Sequence, residues 1–145
     1  MYRFKLEALL SHRRHQEEAC QKELAQARRR LTDEREKLER KKKEKQESLE
    51  KLQVKKKEST TVSDIMLYMN YIQQLSKDIE NQAMHVHKTT KLVDQKRQKL
   101  VSIMQKHKTL KNLKYKEQQA YQQKLMQDER KFMDELAAIR HARKM

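Results

Sequence analysis

The 145-residue chain contains no glycine, no proline and no tryptophan, a single cysteine, and only 5% aromatic residues. Average usage would make glycine and proline about 12% of positions. Those two residues shape tight turns and helix ends, so a chain without either has few places to turn. Their absence also excludes glycine-rich phosphate loops, the Walker-type lysine motif and the nucleophile elbow, all of which need glycine. The lone Cys20 cannot form an intramolecular disulfide and suits a reducing compartment. No apolar run approaches the roughly eighteen residues of a membrane span. The opening Met1-Tyr2-Arg3-Phe4-Lys5-Leu6-Glu7 lacks the apolar stretch of a signal peptide, which points to the cytosol.

Charge fills the space left by these absences. Charged residues make up 39% of the chain, apolar residues 35%, and the formal net charge is +15. A large three-dimensional core is out of reach at that apolar fraction. Disorder is the competing reading for such a polar chain, but the apolar residues recur at helical spacing and helix formers dominate. The net charge makes acidic proteins, nucleic acid and anionic membranes candidate partners.

Leu10, Leu24, Leu31, Leu38 and Leu52 share one heptad position, a, with Glu17 and Lys45 filling its gaps. The d column reads Leu6, Arg13, Cys20, Ala27, Glu34, Lys41 and Ser48, a narrow seam that decays into charge. The hydroxyl cluster Ser59, Thr60, Thr61 and Ser63 follows, and its side chains favour turns and caps over helix interiors. Ser63 or Thr61 is the expected N-cap, with Asp64 suited to the first turn. The second helix then has Ile65, Ile72, Ile79, Val86, Val93, Leu100 and His107 at a, and Tyr68, Leu75, Gln82, Thr89, Lys96, Ile103 and Leu110 at d. Beyond Leu110 the seam slips to Leu125, Phe132 and Ile139, with Tyr121 and Leu136 beside it.

The expected fold is all-α: a long two-helix antiparallel coiled-coil hairpin in one domain. Helix 1 runs from about residue 3 to 57, the turn from 58 to 63 and helix 2 from 64 to 143. Such a short connection favours antiparallel neighbours. Folding back at the turn puts Leu6 beside the region of residue 114 and leaves about 25–30 C-terminal residues overhanging. An isolated monomer is expected, in contrast to the doubled mass of a parallel dimerisation rod.

Catalytic and metal chemistry find little support. His12 and His15 stand at i,i+3 and His85 and His87 at i,i+2, without a cysteine or carboxylate cluster to complete a site. They read as solvated surface, His107 as a polar seam residue setting register, and Cys20 as a small buried apolar residue. A two-helix hairpin has no concave pocket in which to tune a catalytic group. No enzyme, cofactor, metal or small-molecule substrate is expected. Most of the eight methionines, among them Met66, Met69, Met104, Met126 and Met133, read as seam fillers, with an adaptable binding surface as the alternative. The basic stretches Arg28–Arg30, Arg40–Lys45, Lys55–Lys57 and Arg140–Lys144 carry interspersed acids and no aromatic platform. They fit a solvated face or a docking surface for an acidic protein better than nucleic acid.

Three stretches together carry a family resemblance. They are Phe4-Lys5-Leu6-Glu7-Ala8-Leu9-Leu10 followed by Arg13-Arg14 and Glu17-Glu18, then Tyr68-Met69-Asn70-Tyr71-Ile72-Gln73-Gln74-Leu75 with Ile79-Glu80 after it, and finally Asp134-Glu135-Leu136 followed by Arg140 and Arg143-Lys144. Over essentially its whole length the chain resembles the FliJ family of flagellar type III export proteins. The resemblance implies a cytoplasmic, non-enzymatic hairpin similar to the central stalk of rotary ATPases, acting beneath the export gate and so peripheral to the membrane. It implies three partners: the hexameric export ATPase, the cytoplasmic domain of the large export-gate protein, and export chaperones. The gate-contacting surface would map to Tyr71 and Leu75, and the cations Arg13, Arg14, Arg140, Arg143 and Lys144 would face acidic loops of the ATPase ring. The equivalent stalk of a virulence type III system and a basic nucleic-acid-binding coiled coil are the alternatives.

Overall fold

The computed structural model describes residues 2–58 and 60–144 and contains two helices, α1 (Glu7–Lys57) and α2 (Val62–Lys144). Among the described residues there is no strand. Helix α1 therefore starts four residues later than the periodicity suggests, after a turn at Lys5-Leu6, and α2 starts two residues earlier. The ends follow the helix dipole: Glu7 and Asp64 lie in the first turns, Lys55–Lys57 and His141, Arg143 and Lys144 in the last.

The connection is built from hydroxyl groups. Thr61 accepts a hydrogen bond at Oγ1 from the Asp64 amide at 3.3 Å, making it the N-cap of α2. Ser63, the other candidate, lies inside the first turn of α2. At the end of α1, the Thr60 hydroxyl donates to the Lys55 carbonyl and its amide to the Glu58 carbonyl at 2.9 Å. These bonds serve carbonyls that a glycine-terminated helix would satisfy through a left-handed residue. No described residue has a positive φ. Ser59, the first member of the hydroxyl cluster, lies outside the described residues.

The chain divides into two compact units, Met1–Ala19 with Val101–Met145, and Cys20–Leu100. In each, a stretch of α1 runs antiparallel to a stretch of α2. Within the first unit Glu7 meets Lys114 at 2.8 Å and Glu17 meets His107. Leu6 and residue 114 are thus neighbours in the way the fold-back at residues 58–63 requires. Within the second unit Lys96 meets Glu23 at 3.1 Å, Gln82 meets Glu34 and Tyr71 meets Glu44. As the α1 number rises, its partner's number falls.

The buried positions are the heptad columns. On α1 they are Cys20, Leu24, Ala27, Leu31, Ser48 and Leu52; on α2 they include Leu75, Gln82, Thr89, Ile103 and His107. Three of the polar residues in the seam, His107, Gln82 and Thr89, are hydrogen-bonded. The His107 imidazole bonds the Glu17 carboxylate, so the two polar interruptions of the a columns meet each other. Gln82 donates to the Glu34 backbone carbonyl at 2.9 Å and to its carboxylate. Thr89 donates to the His85 carbonyl one turn earlier at 2.8 Å. Among the described residues no buried side-chain nitrogen or oxygen lacks a partner. Phe4 is buried ahead of α1, and Tyr2 packs on Tyr121 with ring centroids 5.5 Å apart.

The methionines correct one expectation. Met66, Met69, Met84, Met104, Met126 and Met133 are all exposed: the first four sit off the two heptad columns, and Met126 and Met133 lie where α1 no longer covers α2. The seam is filled instead by β-branched, leucine and small residues.

The cap gives a direct test. Thr61→Ala should lower unfolding stability in urea by about 1 kcal/mol, while Ser63→Ala should stay within about 0.5 kcal/mol. Equal effects of the two substitutions would contradict the assignment of Thr61 as the cap.

Candidate partner-binding surfaces

Within the first unit, α1 and the residues preceding it cover α2 only as far as Tyr121. Every described residue from 122 to 144 is exposed. This 23-residue stretch, about 35 Å long, is slightly shorter than the overhang expected from the heptads. It keeps the slipped stripe: Leu125, Phe132, Leu136 and Ile139 share one side of the helix, and Phe132 is 61% exposed. At its end Met133, Leu136 and Ala137 line a shallow groove with Arg140, His141 and Lys144. An apolar stripe beside a cationic helix end can take an acidic surface with apolar relief.

The five expected cations fall into two groups inside this unit. Arg14 is exposed and Arg13 half-buried, with Nη1 of Arg13 donating to Gln16 Oε1 at 3.0 Å. Arg13 lies beside Ser102, Gln105 and Thr109. Arg140, Arg143 and Lys144 are all exposed on the overhang. About 35 residues of α2, or roughly 50 Å, separate Gln105 from Arg140. One acidic loop cannot engage both groups.

Tyr71 and Leu75 also part company. Tyr71 is exposed and its hydroxyl donates to the Glu44 carboxylate. That bond, with some burial, raises the phenol above its ordinary pKa. Leu75, one turn on, is only 5% exposed and belongs to the seam. It supports the helix pair beneath Tyr71 and offers a partner no surface. The Gln82 side chain is likewise committed to Glu34.

His12, His15, His85 and His87 are exposed, and His15 lies 3.8 Å from Glu18. Among the described residues no three His, Cys, Asp or Glu converge. No described helix is long and apolar enough to cross a membrane. Cys20 is a free, buried thiol in the seam.

Two surface features escaped the heptad reading. One is the cluster of exposed apolar side chains around the start of α2: Val62, Met66, Leu67 and Met69. Its signal was available in the apolar residues that fall outside the a and d columns. The other is the set of cross-helix carboxylate contacts. Hydrogen bonding from Lys96, and the charges of Lys96 and Lys99, hold the Glu23 carboxyl below the ordinary carboxylate range. The Gln82 amide does the same for Glu34, against an opposing effect of burial.

These features define an all-α helical-hairpin protein with exposed helix faces and helix ends. A family model described as "Flagellar FliJ protein" matches residues 2–145. The chain belongs to the FliJ family, a non-enzymatic export family, and is a flagellar type III export-related protein. No curated protein and no solved structure matches it significantly.

The carboxylate pairs give a pH prediction. Glu23 and Glu34 have lower pKa values folded than unfolded, so their stabilisation is present above the unfolded value and is lost as pH falls through the folded one. Urea midpoints measured from neutral pH down to pH about 3 should therefore fall. The fall should be shallower for Glu23→Gln, and an unchanged acid limb would contradict the role given to Lys96 and Lys99.

Proposed function

We propose that this chain is the central stalk of the flagellar type III export apparatus, bridging the hexameric export ATPase and the export gate. The observation that carries the reading is the unpartnered stretch of α2 beyond Tyr121, with its heptad-spaced apolar stripe and terminal cations. A lone helix of this length is marginal in water, so enclosure by a partner would both order it and cover Leu125, Phe132, Leu136 and Ile139. A ring with an apolar, acidic pore has the complementary shape and charge. Binding there would favour assembly of the ATPase ring, since one helix can touch several subunits at once.

At the connected ends of the two helices, Tyr71 is the accessible member of the expected gate contact and Leu75 backs it from the seam. The cytoplasmic domain of the gate protein would meet this face. Export chaperones would use the remaining exposed helix surface. The protein itself would do no chemistry and would work in the cytoplasm at the flagellar base, peripheral to the membrane, with motility depending on it. Nucleic acid has no part in this reading: acids are interspersed along the basic stretches, and the exposed apolar stripe calls for a protein.

The split between the cation groups sharpens the test. With the purified export ATPase, wild-type protein should promote ring formation seen by electron microscopy and accelerate ATP hydrolysis. Arg140→Glu/Arg143→Glu/Lys144→Glu should remove most of that stimulation, and adding Arg13→Glu/Arg14→Glu should abolish it. Full stimulation by the five-fold variant would overturn the proposal.

A further inference from the structure

We propose that the tip of the second unit, where α1 ends and α2 begins, is a docking point for an anionic lipid surface. The exposed large apolar side chains of this unit are clustered there. Val54, Val62, Met66, Leu67 and Met69 are all exposed, with Val62 at 74% and Leu67 at 66%. Between Ile72 and Leu100 the single exposed large apolar residue is Met84, and between Leu10 and Gln53 there is none. Apolar side chains concentrated in this way mark an interaction site.

Their arrangement distinguishes the kind of partner. Val62, Met66 and Met69 stand at i, i+4 and i+7 on one flank of α2. Leu67 lies roughly 130° further round the same helix, and Val54 is on α1. A protein groove would need these groups on one face. Here they ring the tip, as end-on contact with a fluid, planar apolar layer requires. Val54 lies three residues before the last residue of α1, and Val62, Met66 and Leu67 fall within the first six residues of α2. All four are thus within about 8 Å of the helix ends along the axis, matching the roughly 5–10 Å depth of interfacial insertion.

The charge around this ring fits anionic headgroups. Lys55, Lys56 and Lys57 are consecutive, and Lys51 is one turn behind. Lys56 and Lys57 are exposed, while Lys55 lies over the Tyr68 ring at 5.0 Å from its centroid. Glu58 and Asp64 are the acids between Lys51 and Tyr71, so cations outnumber them. Lysines beside an apolar tip are the combination that binds anionic bilayers, with long side chains reaching the headgroups while apolar neighbours enter the acyl boundary. The +15 chain would also be drawn weakly to any anionic surface, and the test must separate that from docking by the tip.

The experiment is co-sedimentation of the full chain with phosphatidylcholine vesicles, with and without phosphatidylglycerol. Binding should require phosphatidylglycerol and fall with salt. Val62→Ser/Met66→Ser and Lys56→Glu/Lys57→Glu should each weaken it at least about tenfold, with helicity by circular dichroism unchanged. Arg28→Glu/Arg29→Glu, a mid-helix pair of the same charge change, should weaken it far less. Because the chain has no tryptophan, Met66→Trp supplies a single reporter whose emission should shift to the blue on phosphatidylglycerol vesicles. Equal losses from the tip and mid-helix variants would reduce the effect to diffuse charge and overturn the proposal. An unshifted reporter would overturn it too, as would tip variants that bind vesicles normally but no longer bind the gate protein's cytoplasmic domain. Neither ATPase nor gate is present in the vesicle assay, so its failure would leave the stalk reading intact.

Discussion

Two packed helices can cover each other's side chains from one direction only. No described side chain is wholly buried, and the interior is a single stripe two residues wide. This constraint explains the amino-acid choices. A residue at an a or d position is shielded on its inner side and remains close to water on its flanks, so polar residues cost less there than in a globular core. Gln82, Thr89, Ser48 and His107 can therefore occupy seam positions. Thr89 bonds a carbonyl one turn back, and Gln82 and His107 each bond a carboxylate on the opposite helix. The same constraint puts the exposed apolar and cationic side chains of the described residues on convex helix surface.

Much of this was legible in one dimension. Heptad columns report which residues face inward, and both columns of both helices are buried or half-buried except at Leu6. The hydroxyl cluster announced the turn because its side chains can replace glycine's role at helix ends, although the choice of Thr61 over Ser63 needed the geometry of one hydrogen bond. Other features were hidden for physical reasons. A methionine beside a seam residue looks like a seam filler until the rotation of the helix is known, and a rotation of 100° is enough to put Met66 in solvent beside half-buried Ile65. The five cations looked like one end because folding back at the turn brings the termini to the same unit. Only the length of α2 beyond Tyr121 shows how far Arg140 lies from Arg13. Leu75 illustrates the reverse: its d position already marked it as core, and its burial makes Tyr71 the exposed member of that pair.

Different parts of the chain thus rest on different physics. Between Cys20 and Leu52 on α1, stability comes from packing along the apolar stripe, and the charged outer surface keeps the chain dispersed. Beyond Tyr121 the helix persists on intrinsic propensity without cover from α1, which makes it the part whose order depends most on what surrounds it. Basic residues at helix C-termini complement the dipole and also present charge outward, so one choice of residue serves folding and recognition together.

The Glu17–His107 pair has a mechanical consequence. A purely apolar stripe resists separation of two helices but opposes lengthwise sliding only weakly, because one leucine can exchange places with another a heptad away. Sliding α2 by one heptad would carry His107 away from Glu17 and place it opposite leucine, leaving the imidazole without its carboxylate in the seam. The pair thus acts as a key in a keyway. A pull or push on the segment beyond Tyr121 would load this contact in shear and pass into α1 before the helices could creep past one another.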